Sequence, residues 1–111
     1  MRWLIALAFL CAGAAQARDP YAPAKALIAA QCASCHVVPG VANAVGKVGP
    51  SLRGIARQRM LAGKLPNTPD NMLRWLMHPQ AIDRGNAMPD MGLTAQQARA
   101  ISAYLETLDR P

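Results

Sequence analysis

The sequence predicts a single all-α domain wrapped around something other than its own side chains, and three observations carry that prediction. Apolar residues recur at helical spacing in three segments. No stretch of useful length alternates apolar and polar residues. Between the first two helical segments, about thirty residues have no period at all, which is unusual in a small domain. The length of 111 residues fits one domain and excludes a multidomain enzyme with a separate cofactor fold. Beyond residue 17 the only aromatic side chains are Tyr21, Trp75 and Tyr104, and 16 of the 44 apolar residues there are alanine. So few large rings make a marginal core.

The opening segment reads as a targeting signal. Arg2 supplies a short positive start, Trp3–Ala15 is an apolar run too short to span a bilayer comfortably, and Ala15-Gln16-Ala17 is a small-x-small cleavage site. Arg18-Asp19-Pro20 then turns polar. Residues 1–17 are therefore expected to be a cleavable secretory signal peptide and residues 18–111 the domain, with an uncleaved anchor as the alternative. The bulky Phe9 and Leu10 before Cys11 argue against lipidation there. No later stretch approaches transmembrane length, so the expectation is an exported, soluble protein of the bacterial periplasm.

The helices follow in order. Pro23 suits a first turn, and Ala24, Leu27, Ile28 and Gln31 share one face of a helix expected over Ala24–Ala33. From Val37 to about Asn67 the pattern dissolves among glycines and prolines, with at most one helical turn at Ser51–Ala56. Thr68 is a good N-cap, Pro69 fits the first helical position, and Asp70 complements the dipole of a second helix. Met72, Leu73, Leu76 and Met77 are its apolar face, and Pro79 is expected to stop it. Thr94-Ala95-Gln96-Gln97 is a capping-box pattern opening a last helix to about Leu108, with Ala98, Ile101, Leu105 and Leu108 as its stripe and Tyr104 beside them.

Twelve Lys and Arg face six Asp and Glu, and the part after residue 17 carries a net +5. Ordinary solubility explains such an excess, as does attraction to an acidic partner. Nucleic acid is excluded as a partner. The basic residues are scattered among Gly and Pro without the stacking rings that a nucleic-acid platform needs.

Cys32-Ala33-Ser34-Cys35-His36 is the sharpest signal. In an oxidising compartment a plain disulfide is the default for two cysteines. Here, however, a two-residue gap at a helix end matches the separation of the two vinyl groups of a haem, so Cys32 and Cys35 can form thioethers. His36 directly after them then lies under the iron. A thioredoxin-like site needs a βαβ context, and zinc needs two more ligands where only His78 and a few carboxylates remain. One more axial position remains, for which Met60, Met72, Met77, Met88, Met91 and His78 are the candidates. Met72 and Met77 read as helix core, and Met60 as packing in the irregular stretch. Met88 lies in a loop, stiffened by Pro89, that no helical period explains; Met91 is its competitor.

With these residues in place, the chain resembles the class I cytochromes c over nearly all of Ala24–Leu108. The resemblance rests on Cys32–His36, on Gly49-Pro50-Ser51-Leu52-Arg53-Gly54, on Asn71–Pro79, on Met88-Pro89 and on Ala103-Tyr104-Leu105. It implies one covalent haem c with its iron, His36 and Met88 as axial ligands, and Pro50 as the residue whose carbonyl accepts the His36 Nδ1–H. The interval from Pro79 to Met88 selects Met88 over Met91. Trp75 stands where related chains carry a tyrosine near the methionine sulfur, which implies that it packs on the ring; a plain core tryptophan is the alternative. Arg84 replaces a proline near the methionine loop. Gln58 stands where an arginine contacts the haem propionates, so either Arg57 or Arg59 is a candidate for that contact, with solvated surface charge as the equal alternative. His78 reads as a surface histidine at a helix end.

The resulting expectation is a respiratory-chain electron carrier with no catalytic residues and no bond chemistry of its own. It exchanges electrons with a redox donor and acceptor that present an acidic docking surface. It is expected to be monomeric or a subunit of a larger redox complex, and not membrane-spanning once processed. Two rivals remain: a subunit docked on a dehydrogenase or oxidase, and a sensor or peroxidase with an open sixth position.

Overall fold

The computed structural model describes residue 13 and residues 18–110, so the expected signal segment, with Cys11 and its cleavage site, lies outside the described residues. Among the described residues the helices are α1 (Ala22–Gln31), α2 (Pro69–Met77), α3 (Pro79–Ile82) and α4 (Ala95–Leu105). No described helix is long and apolar enough to cross a membrane.

Helix α1 starts two residues earlier than its periodicity indicates. Asp19 accounts for this, because its carboxylate accepts the Tyr21 N–H (2.8 Å) and its carbonyl the Ala22 N–H (3.2 Å), which satisfies donors just ahead of the first turn. Pro23 falls in that turn as expected. The Lys25 ammonium, 2.6 Å from the same carboxylate, holds the Asp19 carboxyl below its ordinary range. Ala24 and Ile28 are buried and Leu27 is half-buried.

Helix α1 also ends at Gln31, two residues before the expected Ala33, and two further expectations are corrected. The single turn expected at Ser51–Ala56 is a short 3-10 turn at Ile55–Arg57, because Gly54 just before it is left-handed (φ +65°). Pro79 does not simply stop a helix. The second helix ends at Met77, and Pro79, fully buried, opens the short α3, where a proline costs no hydrogen bond. A further feature has no sequence signal: a two-residue antiparallel ladder joins Met60–Leu61 (β1) to Leu65–Pro66 (β2), too short to display any period. Met60 there is 43% exposed and does not pack as expected.

The Thr68 hydroxyl caps α2 by accepting the Asn71 N–H at 3.2 Å, an interaction worth about 1 kcal/mol. The capping box of α4 is complete, with Thr94 accepting from the Gln97 N–H (3.1 Å) and the Gln97 side chain accepting from the Thr94 N–H (3.0 Å). That helix ends at Leu105 rather than Leu108. The Thr107 hydroxyl donates to the Tyr104 carbonyl at 2.6 Å and Leu108 N–H turns back to Leu105 (3.0 Å), which closes the last turn early.

The core is α4 packed against both α1 and α2, with Ile28 and Ile101 wholly buried at its centre. Tyr104 locks this core to the irregular stretch. Its hydroxyl donates to the Pro39 carbonyl at 2.5 Å, and its ring meets that of Tyr21 at 5.6 Å. Gly40, next in the chain, is left-handed, and a Cβ there would strike the same hydroxyl.

Candidate functional site

The end of α1 builds one wall of the site. Cys32 caps the helix, and the amides of Cys35 (3.1 Å) and His36 (3.0 Å) both donate to the Cys32 carbonyl, so the chain tightens into a turn that groups Cys32, Cys35 and His36. The two cysteines are free thiols, not a disulfide. Burial pushes the Cys32 thiol up, with the neighbouring Cys35 adding to the effect.

The glycine-rich stretch then lies directly on that turn. Gly46 N–H donates to the Ala33 carbonyl (3.2 Å), Gly49 N–H to Cys35 (2.7 Å) and Leu52 N–H to Val37 (2.8 Å). The approach is too close for side chains. A Cβ on Gly46 would collide with the Ser34 carbonyl, and one on Gly49 with the His36 imidazole. This layering delivers the Pro50 carbonyl to His36 Nδ1 at 2.6 Å. With Nδ1–H donating there, the imidazole is fixed in orientation and Nε2 keeps its lone pair for a metal. Gly49→Ala should therefore displace the ring and strongly impair haem incorporation. Pro50→Ala keeps the carbonyl and should cost little. Equal haem content in both variants, measured by pyridine haemochrome, would contradict this geometry.

A further part of the wall comes from the loop after α3. Met88 is half-buried, with its N–H donating to Asn86 Oδ1 (2.7 Å) and its carbonyl accepting from Gln80 Nε2 (2.8 Å). Met91 is also half-buried.

Between these walls lies a cavity of about 390 Å³, floored by side chains of α2 and α4, among them Leu76 and Ile101. Cys32, Cys35, His36, Pro50, Trp75 and Met88 all border it, so the haem-contacting residues that the resemblance implies come to one place. Met91 borders it too. Among the described residues His78 is exposed at the end of α2 and does not border it; Gln58 does, while neither Arg57 nor Arg59 is among its lining residues. Gln80, Asn86 and Gly46 shape the site without having been singled out, and Gly49 stood out only as part of the motif around Pro50. For the glycines the signal was present, since they break all periodicity; the two amides carry none.

The residues fit a covalently held haem. Two free thiols able to form thioethers with the vinyl groups, an imidazole whose Nδ1 is already engaged, and a methionine bordering the same mostly apolar cavity suit a haem and its iron.

Comparisons with known proteins agree. The family described as Cytochrome c matches residues 21–109. The chain is 32% identical over 78 residues to cytochrome c oxidase subunit 2 of Alkalihalophilus pseudofirmus, covering 69% of this chain and 22% of that protein. It is 30% identical over 95 residues to cytochrome c oxidase subunit 2 of Bacillus sp. (strain PS3), covering 81% and 27%. The chain thus spans about a quarter of the length of the curated relatives it matches.

Proposed function

This chain belongs to the cytochrome c family, with a covalently bound haem c and its iron as cofactor, and from that membership we propose that it is an exported, periplasmic single-electron carrier using His36 and Met88 as axial ligands. The convergence of Cys32, Cys35, His36 and Met88 on one cavity, with His36 already oriented by Pro50, carries the reading. When bound, the haem supplies a one-electron Fe(III)/Fe(II) couple, raised in potential by thioether ligation.

The residues divide the remaining work. Cys32 and Cys35 retain the group covalently. Pro50 fixes the His36 tautomer, and Met88 closes the other face against oxygen, peroxide and small gases. Trp75 borders the cavity, where it would pack against the bound ring. No residue is assigned to bond chemistry. The signal segment at residues 1–17 would deliver the domain to the periplasm.

The optical spectrum of the purified ferric protein tests the reading. A weak far-red band reports methionine ligation, and a high-spin spectrum that readily takes up cyanide would instead establish the open-site rival. A second reading is favoured by the relatives, both of which are named as oxidase subunits: the domain would deliver electrons while docked on a larger redox complex. Co-purification with such a complex would select it.

An acidic partner fits the charge. Lys47 is exposed between Val45 and Val48, which are 69% and 70% exposed, and Val48 borders the cavity. Electron transfer to the partner should slow severalfold between about 0.01 M and 1 M salt, as the Debye length falls from about 30 Å to about 3 Å. A salt-independent rate in stopped-flow measurements would return these charges to a role in solubility.

A further inference from the structure

We propose that Gln80 is a positioning residue for the sixth iron ligand: its carboxamide brackets the Met88 loop and holds the methionine against displacement. The inference rests on the reading that Met88 is that ligand. Gln80 follows Pro79 in α3, and its side chain reaches three main-chain groups of a loop with no regular structure. Nε2 donates to the carbonyls of Asn86 and Met88, each at 2.8 Å, and Oε1 accepts the Gly85 N–H at 2.9 Å. The Gln80 backbone N–H donates to Asp90 Oδ1 at 3.1 Å, so the same residue also ties the far side of the loop.

Asn86 completes the bracket. Its Nδ2 donates to the carbonyls of Asp83 (2.6 Å) and Pro79 (3.3 Å), and its Oδ1 accepts the Met88 N–H at 2.7 Å. Both main-chain polar groups of Met88 are thereby held by side-chain amides, although its chain neighbours Ala87 and Pro89 are exposed. Any swing of the loop that carries the methionine away must break the Gln80 bonds, so they limit displacement to rotation of the side chain alone. A neutral amide is required. Glutamate has the same length and keeps the acceptor, but it loses both donors and sets a negative charge against two carbonyls.

The test uses the haem-loaded full chain in four variants: Gln80→Ala, Gln80→Glu, Met88→Ala and Arg84→Ala, the last an exposed side chain of the same loop. The readouts are the far-red band, the reduction potential, the rate of cyanide binding to the ferric form, and helix content by circular dichroism. Both Gln80 variants should bind cyanide about tenfold faster or more and show a weakened band at unchanged helix content, while Arg84→Ala behaves as the parent. If Gln80→Ala fails to load haem, Gln80→Glu decides. Parental cyanide kinetics and band in Gln80→Glu would overturn the bracket, as would equal acceleration by Arg84→Ala. A band that survives Met88→Ala would instead overturn the ligand reading itself.

Discussion

Met88→Ala is expected to open the sixth position of the iron and lower the reduction potential by on the order of 0.1 V, within the roughly 0.8 V range that axial ligands span. The far-red band should vanish, and cyanide and carbon monoxide should bind readily. Met91→Ala should leave band and potential nearly unchanged. Both methionines are half-buried at the same cavity, so proximity alone does not separate them. Their backbones do. Both main-chain polar groups of Met88 are bound by Asn86 and Gln80, and Pro89 stiffens the link to Met91 so that one short loop cannot aim both sulfurs at one iron. Loss of methionine ligation in Met91→Ala alone would move the site by three residues and leave the carrier reading intact. If neither variant changed the spectrum, His78 would have to leave its exposed place at the end of α2 to serve.

Replacing Cys32 and Cys35 together with alanine should abolish covalent haem and with it most of the folded population. The core of α1, α2 and α4 is small, and much of its apolar surface borders the 390 Å³ cavity. That cleft is open to solvent, so without the haem it is hydrated and the apolar side chains lining it lose the surface against which they would be buried. A domain of this size has a total stability of only about 5–15 kcal/mol, so losing that burial weighs heavily. Haem staining after denaturing electrophoresis and far-ultraviolet circular dichroism would read the two effects. A stable, fully helical apoprotein would show that the side chains suffice by themselves, contrary to what three aromatic residues in the domain imply.

The helices were legible because their signals are local. Thr68-Pro69-Asp70 and the Thr94–Gln97 box satisfy orphan amides within one turn, and the structure starts both helices where those residues place them. The ends were less legible. Leu108 continues the apolar stripe of α4, but Thr107 diverts the Tyr104 carbonyl and the helix stops at Leu105. Pro79 announces a break, while its use as the first residue of α3 depends on a buried position that no local pattern specifies.

For the site, the sequence alone determined the chemistry. The spacing of Cys32, Cys35 and His36 can be read without coordinates, because covalent attachment depends on a few adjacent residues, and the resemblance supplied Pro50, Trp75 and Met88. Tertiary structure alone decided how these parts meet. The Pro50 carbonyl reaches His36 across fourteen residues only because Gly46 and Gly49 carry no Cβ to hold the strands of chain apart. The Met88 loop is held by Gln80 and Asn86, whose side-chain amides look in sequence like ordinary surface residues. Hydrogen bonds from a side chain to a distant main chain have no period and no fixed spacing, so only the folded chain reveals them.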